Sequence, residues 1–472
     1  MAAMTAPLDL QRRTPELTPQ DGLRKLAGYP FAILAFVDDQ GDPLNVVVDA
    51  EIDPEAGTAV VVPPAGLTIP LGAQVGLTGS HIRPQPGYGY DQRRHVTVWG
   101  RLTPLPDGRL RLVAEAAWGW DETEISFFEY SERSVRQARK YFDALSAERG
   151  TPVRPRLSLP WLFLRTTRLP FLSATLVPVL TGIAIAIKDG AFDPLAALVT
   201  VVGAAAVHLG LNVTNDIFDT LQGADEANVT PTQYSGGSRV LQYGLVSLRG
   251  MALLASGCYA LTVLVGLFLL ATRGSLALLV IGVLGIIISV GYTAPPLKLV
   301  YRGLGELAVA LGFGPLMLLG AYTVQTRGTL SPEALVASLP IGILVALILY
   351  VNEIPDRRAD AHAGKRTLPV RWPARRVITA YAVAIVATYG ILVAGVMGGL
   401  LPLSALLALI TIPLAVRVYR GLAPAYDNPY DLMPVMAANV RLHLHTGLLL
   451  LAGYALVLLL GTVAPGISLY VT

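Results

Sequence analysis

Hydrophobic and polar positions follow two different patterns along this chain. Up to about residue 150 the apolar residues come in short, β-rich runs at 31–37, 45–52, 58–62, 74–78, 95–102 and 110–114. Turn chemistry separates several of them, as in Asp39-Gln40-Gly41-Asp42 and Pro106-Asp107-Gly108. Short strands punctuated this way predict a small antiparallel β barrel. Ser131 then stands where it would cap a helix running to Leu145, with Val135, Ala138, Phe142 and Leu145 at helical spacing. The predicted organisation is a tail over 1–21, a soluble barrel over 22–146, a Pro- and Arg-containing linker over 147–160 and a membrane domain over 161–472.

From Leu169 the pattern changes to long apolar runs. Each has about 18 to 22 residues, enough to cross a hydrocarbon core of roughly 30 Å. About nine spans are predicted, near 169–187, 194–213, 251–271, 275–294, 304–325, 333–351, 377–397, 401–418 and 446–464. With the N-terminus inside, the connections at 214–250, 295–303, 352–376 and 419–445 lie on the cytoplasmic side. They hold most of the membrane domain's Lys and Arg, including Arg239, Lys298, Arg357, Arg358, Lys365, Arg366 and Arg441. The opposite connections offer little beyond Lys188, Arg273 and Arg327, so the positive-inside rule supports a multi-pass cell-membrane protein with a cytoplasmic N-terminal domain.

Composition agrees with this division. The 472 residues are 53% hydrophobic and 15% charged, too apolar for an ordinary soluble protein of this size. A net charge of +3, without a basic block, gives no nucleic-acid footprint. The single cysteine, Cys258, lies in an apolar run and reads as a small packing residue. The first thirty residues lack the charged start and apolar core of a signal peptide.

Two acidic motifs carry the candidate chemistry. The second span runs into Asn212-Val213-Thr214-Asn215-Asp216-Ile217-Phe218-Asp219, followed by Gly223 and Asp225. At about 100° per residue, Asn212, Asp216 and Asp219 fall within about one sixth of the helix circumference. The sixth span ends in Asn352-Glu353-Ile354-Pro355-Asp356-Arg357-Arg358-Ala359-Asp360, where Asn352, Asp356 and Asp360 repeat every fourth residue and Pro355 is placed to bend the helix. Each carboxylate at a bilayer centre costs about 2.5–3.5 kcal/mol, so five of them must line a polar cavity. Facing carboxylate clusters repel one another, and a hard divalent cation with carboxylate and carboxamide ligands relieves this. Magnesium keeps positions for phosphate oxygens, which makes a diphosphate the natural guest. Either motif alone could instead be a solvated helix end whose acids cap a helix or pair with Arg357 and Arg358.

At these residues the chain resembles the UbiA prenyltransferase family, an α-helical integral membrane bundle of nine transmembrane helices with acidic motifs after the second and sixth. The resemblance covers roughly residues 160 to 465 and is strongest toward the 1,4-dihydroxy-2-naphthoate prenyltransferase branch of menaquinone synthesis. The strings that carry it are Asn215-Asp216-Ile217-Phe218-Asp219 with Gly223 and Asp225, Gly236-Gly237-Ser238-Arg239-Val240, Tyr292-Thr293-Ala294-Pro295-Pro296-Leu297-Lys298, Gly303-Leu304-Gly305-Glu306 and Gly364-Lys365-Arg366-Thr367-Leu368-Pro369-Val370-Arg371. The resemblance implies that Asn212, Asp216, Asp219, Asn352, Asp356 and Asp360 hold Mg2+ that clamps a prenyl diphosphate, with Asp225 as a further metal ligand; the first motif places its acids at 216, 219 and 225 rather than at the four-residue spacing of many members, a departure that follows the naphthoate branch. It implies that Asn215 also meets the substrate. Lys298, Arg168, Arg239, Lys365 and Arg366 either neutralise diphosphate oxygens or are snorkelling, positive-inside residues. Tyr292 either lines the site near the allylic carbon or belongs to the aromatic belt. The acceptor so implied is a small aromatic compound, and a walled apolar cavity would exclude water and admit the prenyl tail from lipid.

The front domain, with Phe31-Ala32-Ile33-Leu34-Ala35-Phe36-Val37 and His95-Val96-Thr97-Val98-Trp99-Gly100-Arg101-Leu102, is similar to the pyridoxamine-phosphate-oxidase-like split barrel. That resemblance implies FMN binding and dimerisation through the barrel, with Arg93, Arg94 and His95 as phosphate candidates. A basic turn before a strand is the alternative for those three. For the whole chain, the alternatives are prenyl transfer to hydroxybenzoate, homogentisate or a chlorophyll precursor, a membrane transporter using the Asp residues as cation sites, and a front barrel acting as a flavin reductase on the quinone product.

Overall fold

The computed structural model describes residues 16–63, 66–67, 69, 71–84, 90–125, 127–154, 157–464 and 469–471. The first fifteen residues of the expected tail, and Pro155 and Arg156 of the expected linker, lie outside them. The chain divides into two compact units, Met1–Lys140 and Tyr141–Thr472.

The first unit is built on one antiparallel sheet of β1 (Glu16–Leu17), β2 (Ala32–Val37), β3 (Pro43–Val48), β4 (Ala50–Asp53), β5 (Thr58–Val61), β6 (Gln74–Pro84), β7 (Tyr90–Pro104) and β8 (Leu110–Asp121). The strand path is β3-β2-β6-β7-β8-β5-β4, with β1 against β8. Its two end strands, β3 and β4, are joined through Asp49 alone, so the sheet has to curl until its edges come together. Alternation sets which face is inside: Ala32, Leu34 and Phe36 of β2 are buried, as are Val96 and Val98 of β7. With Leu77, Leu102 and Leu112 they form the core, each large side chain contributing roughly 1.5–3 kcal/mol by burial. Helix α1 (Pro19–Leu26) was hidden in the sequence by its position in an apparent tail. Thr18 caps it, accepting from Asp21 N at 3.1 Å, and Leu23 and Leu26 point into the core. Helix α2 (Phe127–Arg149) begins four residues before the predicted start.

The second unit is helical. Its elements are α3 (Leu159–Thr167), α4 (Ser173–Lys188), α5 (Pro194–Leu221), α6 (Ala224–Ala227), α7 (Leu248–Arg273), α8 (Leu276–Gly291), α9 (Gly305–Leu311), α10 (Met317–Gln325), α11 (Pro332–His362), α12 (Leu368–Arg371), α13 (Ala374–Met397), α14 (Ile412–Ala425) and α15 (Pro429–Val463). A π turn at Gly312–Leu316 joins α9 to α10. Among the described residues, seven helical segments are long and apolar enough to cross a membrane, and α4 and α8 are shorter apolar helices. The expectation of about nine full-length spans is therefore met by seven on length. At the start of α4, a 3-10 turn at Leu169–Leu172 takes up residues assigned to the first span, and α8 stops at Gly291.

Other boundaries also moved. The acidic motifs do not follow their spans but continue them, since α5 runs on to Leu221 and α11 to His362, unbroken through Pro340 and Pro355. The stretch 419–445, expected as a connection, is mostly helix, and α15 begins at Pro429. Its polar residues had argued for solvent, yet Asn439 is buried between helices. There it accepts from Tyr381 Oη at 2.9 Å and donates to Leu347 O at 2.8 Å, which satisfies it inside the bundle. Helix α11 is the central element, 67% buried over its most apolar window, against 11% for α7. At its N-terminal end Glu333 meets Lys188 at 2.5 Å and Tyr470 Oη at 2.6 Å. The acidic motif, Asn352 to Asp360, lies toward the other end of the same helix, about 28 to 40 Å away at 1.5 Å per residue.

Candidate active site

The polar ends of α5 and α11 face one cavity of about 170 Å³. Its lining includes Arg168, Asn212, Asn215, Asp219, Asp225, Tyr292, Asn352, Glu353, Asp356, Asp360 and Lys365. Helical spacing does the placing: Asn212, Asn215 and Asp219 lie on one face of α5, and Asn352, Asp356 and Asp360 on one face of α11.

Each acid has defined partners. Asp216 accepts from Arg168 at 2.5 Å and from Ser238 N at 3.1 Å. Asp356 accepts from Asn228 Nδ2 and from Gly236 N, both at 2.8 Å. One loop thus binds an acid of each motif through backbone N–H groups two residues apart. Gly236, with φ of 78°, and Gly237, with φ of 76°, occupy left-handed conformations open to glycine. A Cβ on Gly237 would sit 2.9 Å from Asp225 Oδ2. Asp219 accepts from Asn215 Nδ2 at 3.0 Å, Tyr301 Oη at 3.0 Å and Lys365 Nζ at 3.1 Å, and Lys365 also stands 3.6 Å from Asp360. Asn212 donates to Thr167 O at 2.9 Å. Arg239 is buried behind the loop and donates to the carbonyls of Asp225 and Asn228.

Electrostatics follow from burial and neighbours. Burial pushes the Asp225 carboxyl well above the usual carboxylate range, and Asp219 and Asp216 push it further. Burial alone would lower the Lys365 ammonium, but Asp219 and Asp360 outweigh it and keep it charged.

The sequence-derived candidates do not all reach the cavity. Asp216 is buried just behind the lining, where it fixes Arg168. Lys298 and Arg366 are absent from the lining: Lys298 Nζ lies 5.5 Å from the Tyr301 ring centre, and the exposed Arg366 is held by its backbone N–H on Tyr301 O. Tyr301, Asn228, Gly236 and Ser238 were missed as partners of the acids. Only the string Gly236-Gly237-Ser238-Arg239 gave a signal, because consecutive glycines before a polar pair mark backbone brought close to something. Glu353 lay within a quoted motif without a role.

The donor set suits a hard divalent cation. Among the described residues no three His, Cys, Asp or Glu side chains are gathered as a ready-made metal cluster. The acids and carboxamides nevertheless offer oxygen donors, and the buried Asp225 Oδ2 and Asn352 Oδ1 have no hydrogen-bond partner.

A second cavity, of about 340 Å³, adjoins the first between α5, α7, α8 and α10. Its lining is almost wholly apolar, and His208, Leu211, Tyr292, Val309 and Phe313 line both cavities. In the first unit, the three phosphate candidates lie along β7, where Arg94 stands 5.9 Å from the Tyr29 ring centre. Arg93 pairs with Glu122 and lies 3.9 Å over the Phe127 ring, and His95 sits among Trp118, Trp120 and Tyr130.

Comparison with known proteins gives the same direction. The 2-carboxy-1,4-naphthoquinone phytyltransferase of Synechocystis is 28% identical, over 62% of this chain and 92% of that protein. The 1,4-dihydroxy-2-naphthoate octaprenyltransferases of Escherichia coli and Bacillus subtilis are 29% and 25% identical, over 62% and 64% of this chain and 94% and 95% of theirs. The model of the UbiA prenyltransferase family matches residues 175–439, more than half of the chain. The protein is an enzyme of that family, a prenyltransferase built on the UbiA-type helical membrane fold.

Proposed function

We propose that the enzyme transfers a prenyl group from a prenyl diphosphate to 1,4-dihydroxy-2-naphthoate, a step of menaquinone synthesis, with Mg2+ at the acidic motifs. The observation that carries this reading is the shared wall of Tyr292, His208, Leu211, Val309 and Phe313 between an acidic, cation-bearing cavity and an apolar one. A ligand with an anionic head and a hydrocarbon tail fits across it, with its allylic carbon near Tyr292. The acceptor is supported by the relatives, whose names specify naphthoate or naphthoquinone substrates.

Asp219, Asp225, Asn352, Asp356 and Asp360 would hold the metal, with Asp216 positioning Arg168 behind them. Bound there, the metal neutralises charge on the leaving diphosphate. Lys365 and Arg168 add fixed positive charge at the same end, so the allylic C–O bond breaks with its electron pair going to the diphosphate. The apolar wall keeps water from the allylic carbon while a ring carbon of the acceptor forms the new C–C bond. With dihydroxynaphthoate, the attacked carbon carries the carboxylate, which departs as carbon dioxide as the ring regains aromaticity. The cationic connections around the acidic ends support a cytoplasmic location for this cavity.

The test supplies membranes containing the protein with Mg2+, a labelled prenyl diphosphate and a panel of aromatic acids, and identifies the products by mass. A prenylated, decarboxylated naphthalenediol is the expected product. Transfer to hydroxybenzoate or homogentisate with none to the naphthoate would overturn the choice of acceptor.

A further inference from the structure

Thr175 of α4 and His208 of α5 meet inside the bundle, with Thr175 Oγ1 lying 2.8 Å from His208 Nδ1. Thr175 is fully buried and His208 is 5% exposed. Such a contact has two forms: the hydroxyl donates to a bare Nδ1, or a protonated Nδ1 donates to the hydroxyl oxygen. Hydrogen-bond accounting separates them. Other threonines of these two helices give their hydroxyl hydrogen to the carbonyl four residues back, Thr181 to Val177 and Thr200 to Ala196. Among the described residues Thr175 makes no such bond, and His208 Nδ1 is its partner. Were the hydrogen on Nδ1, the Thr175 hydroxyl hydrogen would be buried without an acceptor. The threonine is therefore the donor, and the imidazole carries its hydrogen on Nε2. A doubly protonated ring would carry one there as well, so the donor at Nε2 does not turn on the charge of the ring.

Among the described residues Nε2 has no protein partner, and the ring belongs to the wall shared by the two cavities. Phe313, its ring centre 4.8 Å away in a T-shaped arrangement, offers a π face and no lone pair. Of the residues lining both cavities, His208 and Tyr292 carry polar atoms, while Leu211, Val309 and Phe313 do not. A prenyl diphosphate with its head in one cavity and its tail in the other has one polar atom at the junction, the oxygen between the allylic carbon and phosphorus. That oxygen receives the electron pair when the C–O bond breaks, so a donor placed there gains most as the charge develops.

Resting on the prenyl diphosphate reading above, we propose that His208 is a further catalytic residue, whose Nε2–H donates a hydrogen bond to the oxygen leaving the allylic carbon. Thr175 is the positioning residue that fixes which nitrogen holds the hydrogen. The C–O bond breaks with its electron pair passing to the oxygen, and the hydrogen stays on Nε2, so no proton is consumed. The imidazole lone pair, occupied by Thr175, is turned away from the allylic cation that would otherwise capture it.

The test uses the full chain in lipid nanodiscs with isotope-labelled histidine. Nuclear magnetic resonance, with the His208 signal assigned by its loss in His208→Phe, should find hydrogen on Nε2 and none on Nδ1, a readout that needs neither metal nor turnover. Adding Mg2+ and the slowly ionising 2-fluorogeranyl diphosphate should move the Nε2–H proton downfield. Geranyl thiolodiphosphate, with sulfur in place of the ester oxygen, should move it far less. In turnover, His208→Phe should lower kcat by about 10²-fold, with KM for the prenyl diphosphate and for the acceptor within about threefold. Thr175→Val should lower kcat by about three- to tenfold, and Thr175→Ser should recover most of that loss. Hydrogen on Nδ1 in the wild type overturns the inference, as does an equal response to the two analogues. So does a His208→Phe kcat within about threefold of wild type, or a defect confined to the acceptor KM. Where His208→Phe fails to insert, the signal shifted by Thr175→Val supplies the assignment, and equal kcat in Thr175→Val and Thr175→Ser overturns the inference. A wild-type chain that binds neither analogue and prenylates no aromatic acid would instead overturn the proposed function.

Discussion

Lys365 Nζ lies 3.1 Å from Asp219 Oδ2, joining the segment after α11 to the acidic end of α5 across the cavity. Both side chains are buried, so the pair is a fixed charge arrangement rather than a passing surface contact. The Lys365→Met variant should lose about 10²–10³-fold in kcat, the usual effect of removing one charge-stabilising donor. Turnover with labelled prenyl diphosphate measures this, and a loss below about threefold would remove Lys365 from the site. Because Asp219 and Asp360 hold its ammonium above the ordinary lysine range, its contribution should persist throughout neutral pH and disappear only on strongly alkaline titration.

Gly236 sets the next prediction. A Cβ there would come within 2.7 Å of Asn228 Nδ2 and 2.8 Å of Pro231 Cβ, at a φ that L residues avoid. Since Asn228 and Gly236 N are the partners of Asp356, Gly236→Ala should disturb that carboxylate directly. Activity should fall by about tenfold or more and need a higher magnesium concentration to saturate, with protein level in the membrane unchanged. An unaltered magnesium titration would contradict the role given to this loop.

Donor length should respond to the apolar cavity. Gly282 and Gly285 line it, and a Cβ at either meets nothing within 4 Å. Gly285→Phe therefore fills space without a clash at the first carbon. Long prenyl diphosphates should lose far more kcat/KM than geranyl diphosphate, by about tenfold or more. Equal losses for short and long donors would place the tail elsewhere.

The soluble unit carries its own pH response. Burial among Trp118, Trp120 and Tyr130 lowers the pKa of His95 below its ordinary 6.5. In the unfolded chain the same imidazole takes up a proton at higher pH than in the folded one. Its contribution to stability is therefore complete above pH 6.5 and declines as pH falls toward the lowered folded value. Tryptophan-monitored melting between pH 7.5 and 5 should show that decline, and His95→Phe should flatten it. An unchanged slope in the variant would assign the pH dependence to other groups.

The acidic ends of α5 and α11 were legible because helical spacing of Asn and Asp next to apolar runs leaves few physical options. Strand positions in the front unit were legible through alternation and turn residues. The extent of α15 was not, because Asn439 and Arg441 look like loop residues until Tyr381 and the Leu347 carbonyl are known to satisfy the first. Tyr301 was similarly opaque: its hydroxyl reaches Asp219 from 82 residues away, a pairing that no local pattern encodes. Lys298 is a further case: it is absent from the cavity lining, and its ammonium lies 5.5 Å from the ring centre of Tyr301, whose hydroxyl holds Asp219, a placement that its position in a motif does not encode.

The loop that holds Asp216 through Ser238 N and Asp356 through Gly236 N makes the two halves of the site mechanically dependent. Substitutions on α5 and α11 should therefore not sum in a double-mutant cycle, because the first to be made already releases the strand of backbone on which the second relies. A drifting lineage could not retune one acidic helix end and leave the other as it was; both would have to change in step.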